Sequence, residues 1–320
     1  MKYLLVGDIH ENYKLLDNAI KKQNEEQIDK IIFLGDMFHV HKTNNSNQQI
    51  DNNNNLGSKF ISLVKNNKAI WICGNHDYIQ FLISYAIING KHNTLNKHYI
   101  NHKRKYKKDN GYYIRHGIEY YKSHKNEQHE FVDFVLSGGI KFCEQLTNDM
   151  ICSHSCIFSD NTIKTENDFN THLYNDLDII DKNKELFDFS FSASKIWCHI
   201  EKILSPNNNY NKNDIKSLSN STYTLNFNKH LIYKYNFIGH TPLKKIFNSL
   251  LNVKKYDKDI SDNINNTIIN NFDTYNTFRI NDMTKNNDKT FFIDTSNKYI
   301  YDLDTTILTA NNLFKVIEIK

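Results

Sequence analysis

Five short apolar runs, each ending in Asp, Asn or His, constrain this chain more than any other feature. Tyr3-Leu4-Leu5-Val6 runs into Gly7-Asp8-Ile9-His10, Ile31-Ile32-Phe33-Leu34 into Gly35-Asp36, and Ala69-Ile70-Trp71-Ile72-Cys73 into Gly74-Asn75-His76-Asp77. Met150-Ile151-Cys152 leads to Ser153-His154, and Tyr235-Asn236-Phe237-Ile238 to Gly239-His240-Thr241-Pro242. A continuous apolar run of this length reads as a strand buried on both faces. The polar residues then fall in loops at the carboxyl ends of strands, where open α/β sheets hold their ligands. Taken singly, Asp8 and Asp36 could cap the helices that follow, and His154 and His240 could be satisfied core histidines. Five strand ends of the same character point jointly to one assembled site.

Between these runs the pattern alternates. Apolar residues at helical spacing predict helices over residues 13–23, 56–66 and 79–88, the last largely buried. A further stripe over 131–142 leads to the fourth strand, with weaker helical signals at 173–180 and 193–204 and a short strand at 223–227. Asn-rich tracts near 42–57, 205–221 and 257–288 have little to bury and are expected as surface loops. The histidines at 92, 98, 102, 116, 124 and 129 fall in a polar insert and are expected at the surface, and the basic run 102–108 as a solvated connector. Residues 291–295, 298–303 and 313–319 read as closing strands of a second sheet packed on the first. The expectation is a single α/β domain over residues 1–320.

Composition enters mainly through what it excludes. A net charge of +4 in 320 residues, with 24% charged, does not announce a nucleic-acid or membrane partner. The apolar runs fall far short of the roughly 18 to 20 residues needed to span a bilayer. Cys73, Cys143, Cys152, Cys156 and Cys198 form no disulfide framework, and this, with the absence of a leader-like start, predicts a cytoplasmic protein. Arg occurs only at Arg104, Arg115 and Arg279, which leaves few bidentate clamps for phosphate.

Asp8 and His10 are two apart, so on an extended segment both reach one side and one ion. Asp36 could bridge that ion and a second one held by Asn75, His154 and His240. Mixed oxygen and nitrogen donors without thiolate suit Mn, with Fe or Zn as alternatives. Two such ions about 3.5 to 4 Å apart generate hydroxide near neutral pH and neutralise phosphoryl oxygens. His76, adjacent to a ligand, would face the substrate and could protonate a leaving oxygen.

The order and spacing of Asp8-x-His10, Gly35-Asp36, Gly74-Asn75-His76-Asp77, His154 and Gly239-His240-Thr241 resemble the calcineurin-like metallophosphoesterase superfamily over nearly the whole chain. Within it, Gly239-His240-Thr241-Pro242 and the later Ile293-Asp294-Thr295 look like the serine/threonine protein phosphatase and diadenosine tetraphosphatase branch. The resemblance implies a four-layer α/β/β/α sandwich, here with Asn-rich surface insertions. It implies a first metal on Asp8, His10 and Asp36, a second on Asp36, Asn75, His154 and His240, and His76 as general acid. The substrate would be a phosphate monoester, on a phosphoprotein or a nucleotide, attacked directly by a metal-generated hydroxide. A dinucleoside polyphosphate hydrolase and a non-catalytic metal-binding scaffold are the alternatives.

Departures from the family pattern sit beside these matches. His39 stands where the family has the Asp that orients the catalytic His, Val40 where it has a phosphate-clamping Arg, and His199 near the place of a second such Arg. His39, His41 and His199 are therefore candidate substrate contacts. Nuclease members usually end in Gly-His-x-His; Pro242 in that last position argues against nucleic acid.

Overall fold

The computed structural model describes residues 1–38, 55–91, 111–158, 161–182, 192–193, 196–197, 232–233, 235–240 and 314–319, together with the strand segments 223–224, 267–268, 279–282, 287–292 and 299–302. The first βα units are β1 (Lys2–Val6), α1 (Tyr13–Glu25), β2 (Lys30–Phe33), α2 (Leu56–Lys65), β3 (Ala69–Trp71) and α3 (Asn75–Ile88). Two helices follow, α4 (Gly111–Ser123) and α5 (Lys125–Leu136), then the hairpin β4 (Cys143–Thr147) and β5 (Met150–Ser153), and α6 (Glu166–Asp181). The remaining strands are β6 (Tyr223–Thr224), β7 (Tyr235–Ile238), β8 (Thr267–Ile268), β9 (Arg279–Asp282), β10 (Asn287–Phe292), β11 (Tyr299–Asp302) and β12 (Phe314–Glu318). The result is a mixed α/β protein, with three four-stranded sheets among the described residues, ordered β12-β1-β2-β3, β11-β7-β5-β4 and β6-β10-β9-β8.

Period-two alternation explains why the first strands are apolar on both faces. Leu4, Val6, Ile31, Phe33, Ala69 and Trp71 join the helices in one core. Their alternates Leu5, Ile32, Leu34, Ile70 and Ile72 meet Cys152 of β5 and Phe237 of β7 in a second core, so the first two sheets pack face to face. Helices α1, α2, α3 and α5 contribute Leu16, Phe60, Phe81 and Phe131 to the first core. Trp71 stacks on Phe131 with ring centroids 5.3 Å apart, and Phe60 lies at 5.4 Å. Each such aromatic pair adds about 0.5 to 1.5 kcal/mol beyond area burial.

Register decides which loops meet. In the first sheet β1, β2 and β3 are parallel, with Val6 opposite Phe33 and Phe33 opposite Trp71. Gly7-Asp8, Gly35-Asp36 and Gly74-Asn75 consequently leave the same edge. In the second sheet β5 and β7 are parallel with Ser153 opposite Ile238, which puts His154 and His240 side by side. Lys141 joins the sheets: it pairs with Ile72, its carbonyl accepts from Cys73 N at 2.7 Å, and its N–H donates to Trp71 O at 2.9 Å.

Several expectations are corrected. The tract near 42–57 ends earlier, because Leu56 and Gly57 are buried in the first turn of α2; residues 42–54 lie outside the described residues, as do 205–221. The tract 257–288 is not simply a loop: β9 pairs antiparallel with β10, Asn287 opposite Asp282 and Thr290 opposite Arg279, and β8 pairs with β9. Asn and Asp are disfavoured in strands, but the preference is weak and context-dependent enough for backbone pairing to override it. The closing strands do not build one second sheet: β12 pairs antiparallel with β1 and β11 parallel with β7. The helical stripe at 131–142 stops at Leu136, and Cys143 already begins β4. His116 and His124, expected at the surface, are 6% and 5% exposed because α4 and α5 pack on α3 and α2.

Candidate metal centre

The polar strand tips are held by backbone that an L-residue rarely adopts. Six described non-glycine residues have positive φ, and four of them sit here: His10 at 45°, Glu11 at 59°, Asp36 at 49° and His240 at 73°. Such conformations cost about 1 to 3 kcal/mol each and cluster where function demands them. The Asp36 carbonyl accepts from Ile9 N at 3.1 Å and His10 N at 2.8 Å, which locks the first two tips together. Asn75 and His76 are not in a loop, as expected, but open α3 after the N-cap Gly74. The start of that helix faces Asp36: His76 N donates to Asp36 Oδ1 at 2.8 Å. A helix N-terminus favours an anion there. A Cβ on Gly74 would strike Asp36 Oδ1 and the Asp36 amide, so only glycine permits this approach.

All seven residues singled out on the strand tips come together. His10 Nε2 lies 3.7 Å from Asp8 Oδ2 and His154 Nδ1 3.8 Å from Asp8 Oδ1. The Asp8 carboxylate also accepts from His240 N at 3.1 Å. His154 Nε2 is 3.0 Å from Asn75 Oδ1, 3.0 Å from His240 Nδ1 and 3.4 Å from Asp36 Oδ1. His76 Nε2 is 3.6 Å from Asp36 Oδ2, and its ring stands edge-on to His10 with centroids 5.2 Å apart. Among the described residues, two buried triplets have ligand atoms within 4.8 Å of one another: His10, Asp36 and His76, and Asp36, His154 and His240. They share Asp36.

Nitrogen and oxygen donors in overlapping triplets fit a pair of divalent cations. The imidazoles are oriented for it as well. His154 Nδ1 donates to the Leu34 carbonyl at 2.7 Å, which leaves Nε2 turned to Asn75, Asp36 and His240. Fixing one ring nitrogen on a carbonyl so that the other can bind is the usual arrangement around metal-ligating histidines. Burial works against ionising Asp36, yet the imidazoles of His154, His76 and His10 hold its carboxyl well below the ordinary range. Burial likewise disfavours the charged form of His154, and Asp36, Asp8 and the Leu34 carbonyl override it, raising the pKa to about 9. The site therefore concentrates negative charge that positive groups must balance.

Asp77 matters more than its sequence position announced. Its Oδ1 accepts from Met37 N at 2.8 Å and Phe38 N at 3.3 Å, and its Oδ2 from Gly74 N at 3.0 Å and Trp71 Nε1 at 3.1 Å. Burial and the nearby Asp36 raise its pKa to about 6 even so. Spacing Gly74-x-x-Asp77 is the capping-box interval, and that is the signal that could have found it. Trp197, two residues before His199, had no role assigned from the sequence; its ring meets His154 edge-on, centroids 6.0 Å apart. The candidate substrate contacts His39, His41 and His199, with Asp294, lie outside the described residues.

Comparison with protein families matches residues 1–261 to the family described as calcineurin-like phosphoesterase. Comparison with curated proteins finds no match.

Proposed function

Because the chain belongs to the calcineurin-like phosphoesterase family, a family of metal-dependent hydrolases acting on phosphoester bonds, we propose that it cleaves phosphate monoesters in the manner of a serine/threonine protein phosphatase. The observation that carries this reading is Asp36, buried and shared by both ligand triplets. Asp8, His10 and Asp36 would hold one divalent ion, and Asp36, Asn75, His154 and His240 the other. Mn is the first choice, with Fe or Zn as alternatives for the same donor set. When bound, the pair would neutralise phosphoryl oxygens and acidify the attacking water.

The chain's own groups do the rest. Asp36, on its left-handed turn, spans the two halves, and the Leu34 carbonyl keeps His154 Nε2 facing inward. His76, 7% exposed and beside Asp36, protonates the leaving oxygen. In this reading Asp36 and the histidines are committed to the ions and the leaving oxygen, so water attacks phosphorus directly and no covalent phospho-enzyme is needed. The buried thiols of Cys73 and Cys152 support a reducing, cytoplasmic setting, and among the described residues no helix is long and apolar enough to cross a membrane.

The test is hydrolysis of an aryl phosphate by the purified, Mn-loaded protein. His76→Asn should lower kcat by roughly a hundredfold or more, with metal content preserved; full activity in that variant removes His76 from its role. Phosphopeptide turnover exceeding that on diadenosine tetraphosphate supports the phosphatase reading, and the reverse order supports a dinucleoside polyphosphate hydrolase. Bound metal with no turnover on any phosphoester would leave a metal-binding scaffold.

A further inference from the structure

The loop that carries Asp8 and His10 continues into a residue the proposed chemistry does not use. Glu11 follows His10 in a second consecutive left-handed conformation, and its N–H donates to Met37 O at 2.7 Å. Its side chain is only 5% exposed, with Oε1 3.0 Å from Nε2 of the buried His116. His116 belongs to α4, far along the chain and outside every strand tip. A long acidic side chain in a strained turn, turned inward onto a buried imidazole, is an arrangement that surrounding structure has to impose.

That surrounding structure is rigid, and it is the same structure that carries Asn75 and His76. Gln80 of α3 donates to the carbonyl of Gly117, next to His116, at 3.3 Å. Gln80 and Ser84 both donate to Gln128 Oε1 of α5, at 2.8 and 2.7 Å. Helices α4 and α5 are thus tied through buried polar contacts to α3, which begins at Asn75. His116 then reaches from this block to the turn after His10.

We infer that His116 is a positioning residue for His10, acting through Glu11. By gripping the Glu11 carboxylate it holds two successive left-handed residues in place and fixes where the His10 imidazole sits relative to Asp36 and Asp8. Its effect is on the ion held by Asp8, His10 and Asp36, and not on the one held by His154 and His240. The inference rests on the proposed reading of His10 as a metal ligand.

Mn binding measured by calorimetry and by the loss of free-ion paramagnetic resonance tests it, with urea midpoints recorded for every variant. Wild-type protein should bind two Mn per chain. His116→Ala should weaken one binding step by about tenfold or more and leave the other unchanged. His116→Gln, which keeps a donor toward Glu11, should recover most of the loss. Glu11→Ala with His116→Ala should be no worse than either single change, because both remove one contact. At saturating Mn the KM for an aryl phosphate should not move. A folded His116→Ala protein with two wild-type binding steps, or additive single effects, overturns the inference; should that variant fail to fold, Glu11→Ala decides instead, one weakened step supporting the inference and two wild-type steps overturning it. Two bound Mn without turnover would refute the proposed activity and leave the inference standing, whereas wild-type protein that binds no Mn refutes both.

Discussion

Asp77 and His116 show what single residues do here that the strand-tip pattern alone does not reveal. Asp8, His10, Asp36, Asn75, His76, His154 and His240 were legible because each ends an apolar run, and the period of a strand is local. The Gly74-x-x-Asp77 interval was local too, but the N–H groups of Met37, Phe38 and Trp71 that Asp77 accepts belong to other segments. Asp77→Asn replaces one accepting oxygen by an amide nitrogen, so at least one buried donor loses its partner, at about 1 to 3 kcal/mol for each group left unsatisfied. The expected outcome is a loss of roughly 2 to 3 kcal/mol in urea unfolding of metal-free protein. A variant as stable as wild type would show that these four contacts carry little net energy. His116 could not have been placed from its neighbours in sequence: which face of α4 is buried depends on α3 and Glu11, and polar composition alone suggested solvent.

At the scale of elements, α2 shows how a helix is anchored from outside. Its N-cap Asn55 makes no side-chain capping bond. Glu127 of α5 packs there instead, within 3.1 Å of where a Cβ on Gly57 would stand, while Ser58 Oγ donates to Glu130 Oε2 at 2.8 Å. Burial raises the Glu127 pKa above its ordinary 4.5, opposed by the Tyr120 hydroxyl, which donates at 2.9 Å, and by His124. Tyr13, from α1, also faces it. A carboxyl whose folded-state pKa is raised binds its proton more tightly when folded. Its contribution to stability is therefore complete below 4.5 and declines as pH rises through that value and the higher folded one. Glu127→Gln keeps an oxygen for Tyr120 and has no such decline, so it should gain on wild type as pH is raised from about 4 to about 7. Urea midpoints of the two metal-free proteins across that range check it, and parallel profiles would contradict it. The helices and parallel strands were readable because each carries its own periodicity. The ladder of β9 and β10 was not, because these strands are adjacent in sequence but lie in an Asn- and Asp-rich stretch with little apolar alternation to mark them.

For the molecule as a whole, the site lies across two sheets. Asp8, Asp36 and Asn75 come from the edge of β1, β2 and β3, while His154 and His240 come from β5 and β7. The sheets already share the core of Leu5, Ile32, Ile70, Cys152 and Phe237. A cation held by side chains from both would bind the folded chain and not the unfolded one, adding about 2.7 kcal/mol per site at a hundredfold excess over its Kd. Chelation should accordingly lower the unfolding temperature by several degrees, with Mn restoring it. The residue that discriminates is Asp36, since it belongs to both triplets. Asp36→Asn should abolish nearly the whole Mn-induced shift. Asp8→Asn, whose carboxylate faces His10 at 3.7 Å, should abolish only the share of one ion. Equal losses in the two variants would mean a single shared ion instead of a pair, and an undiminished shift in Asp36→Asn would place the metal elsewhere.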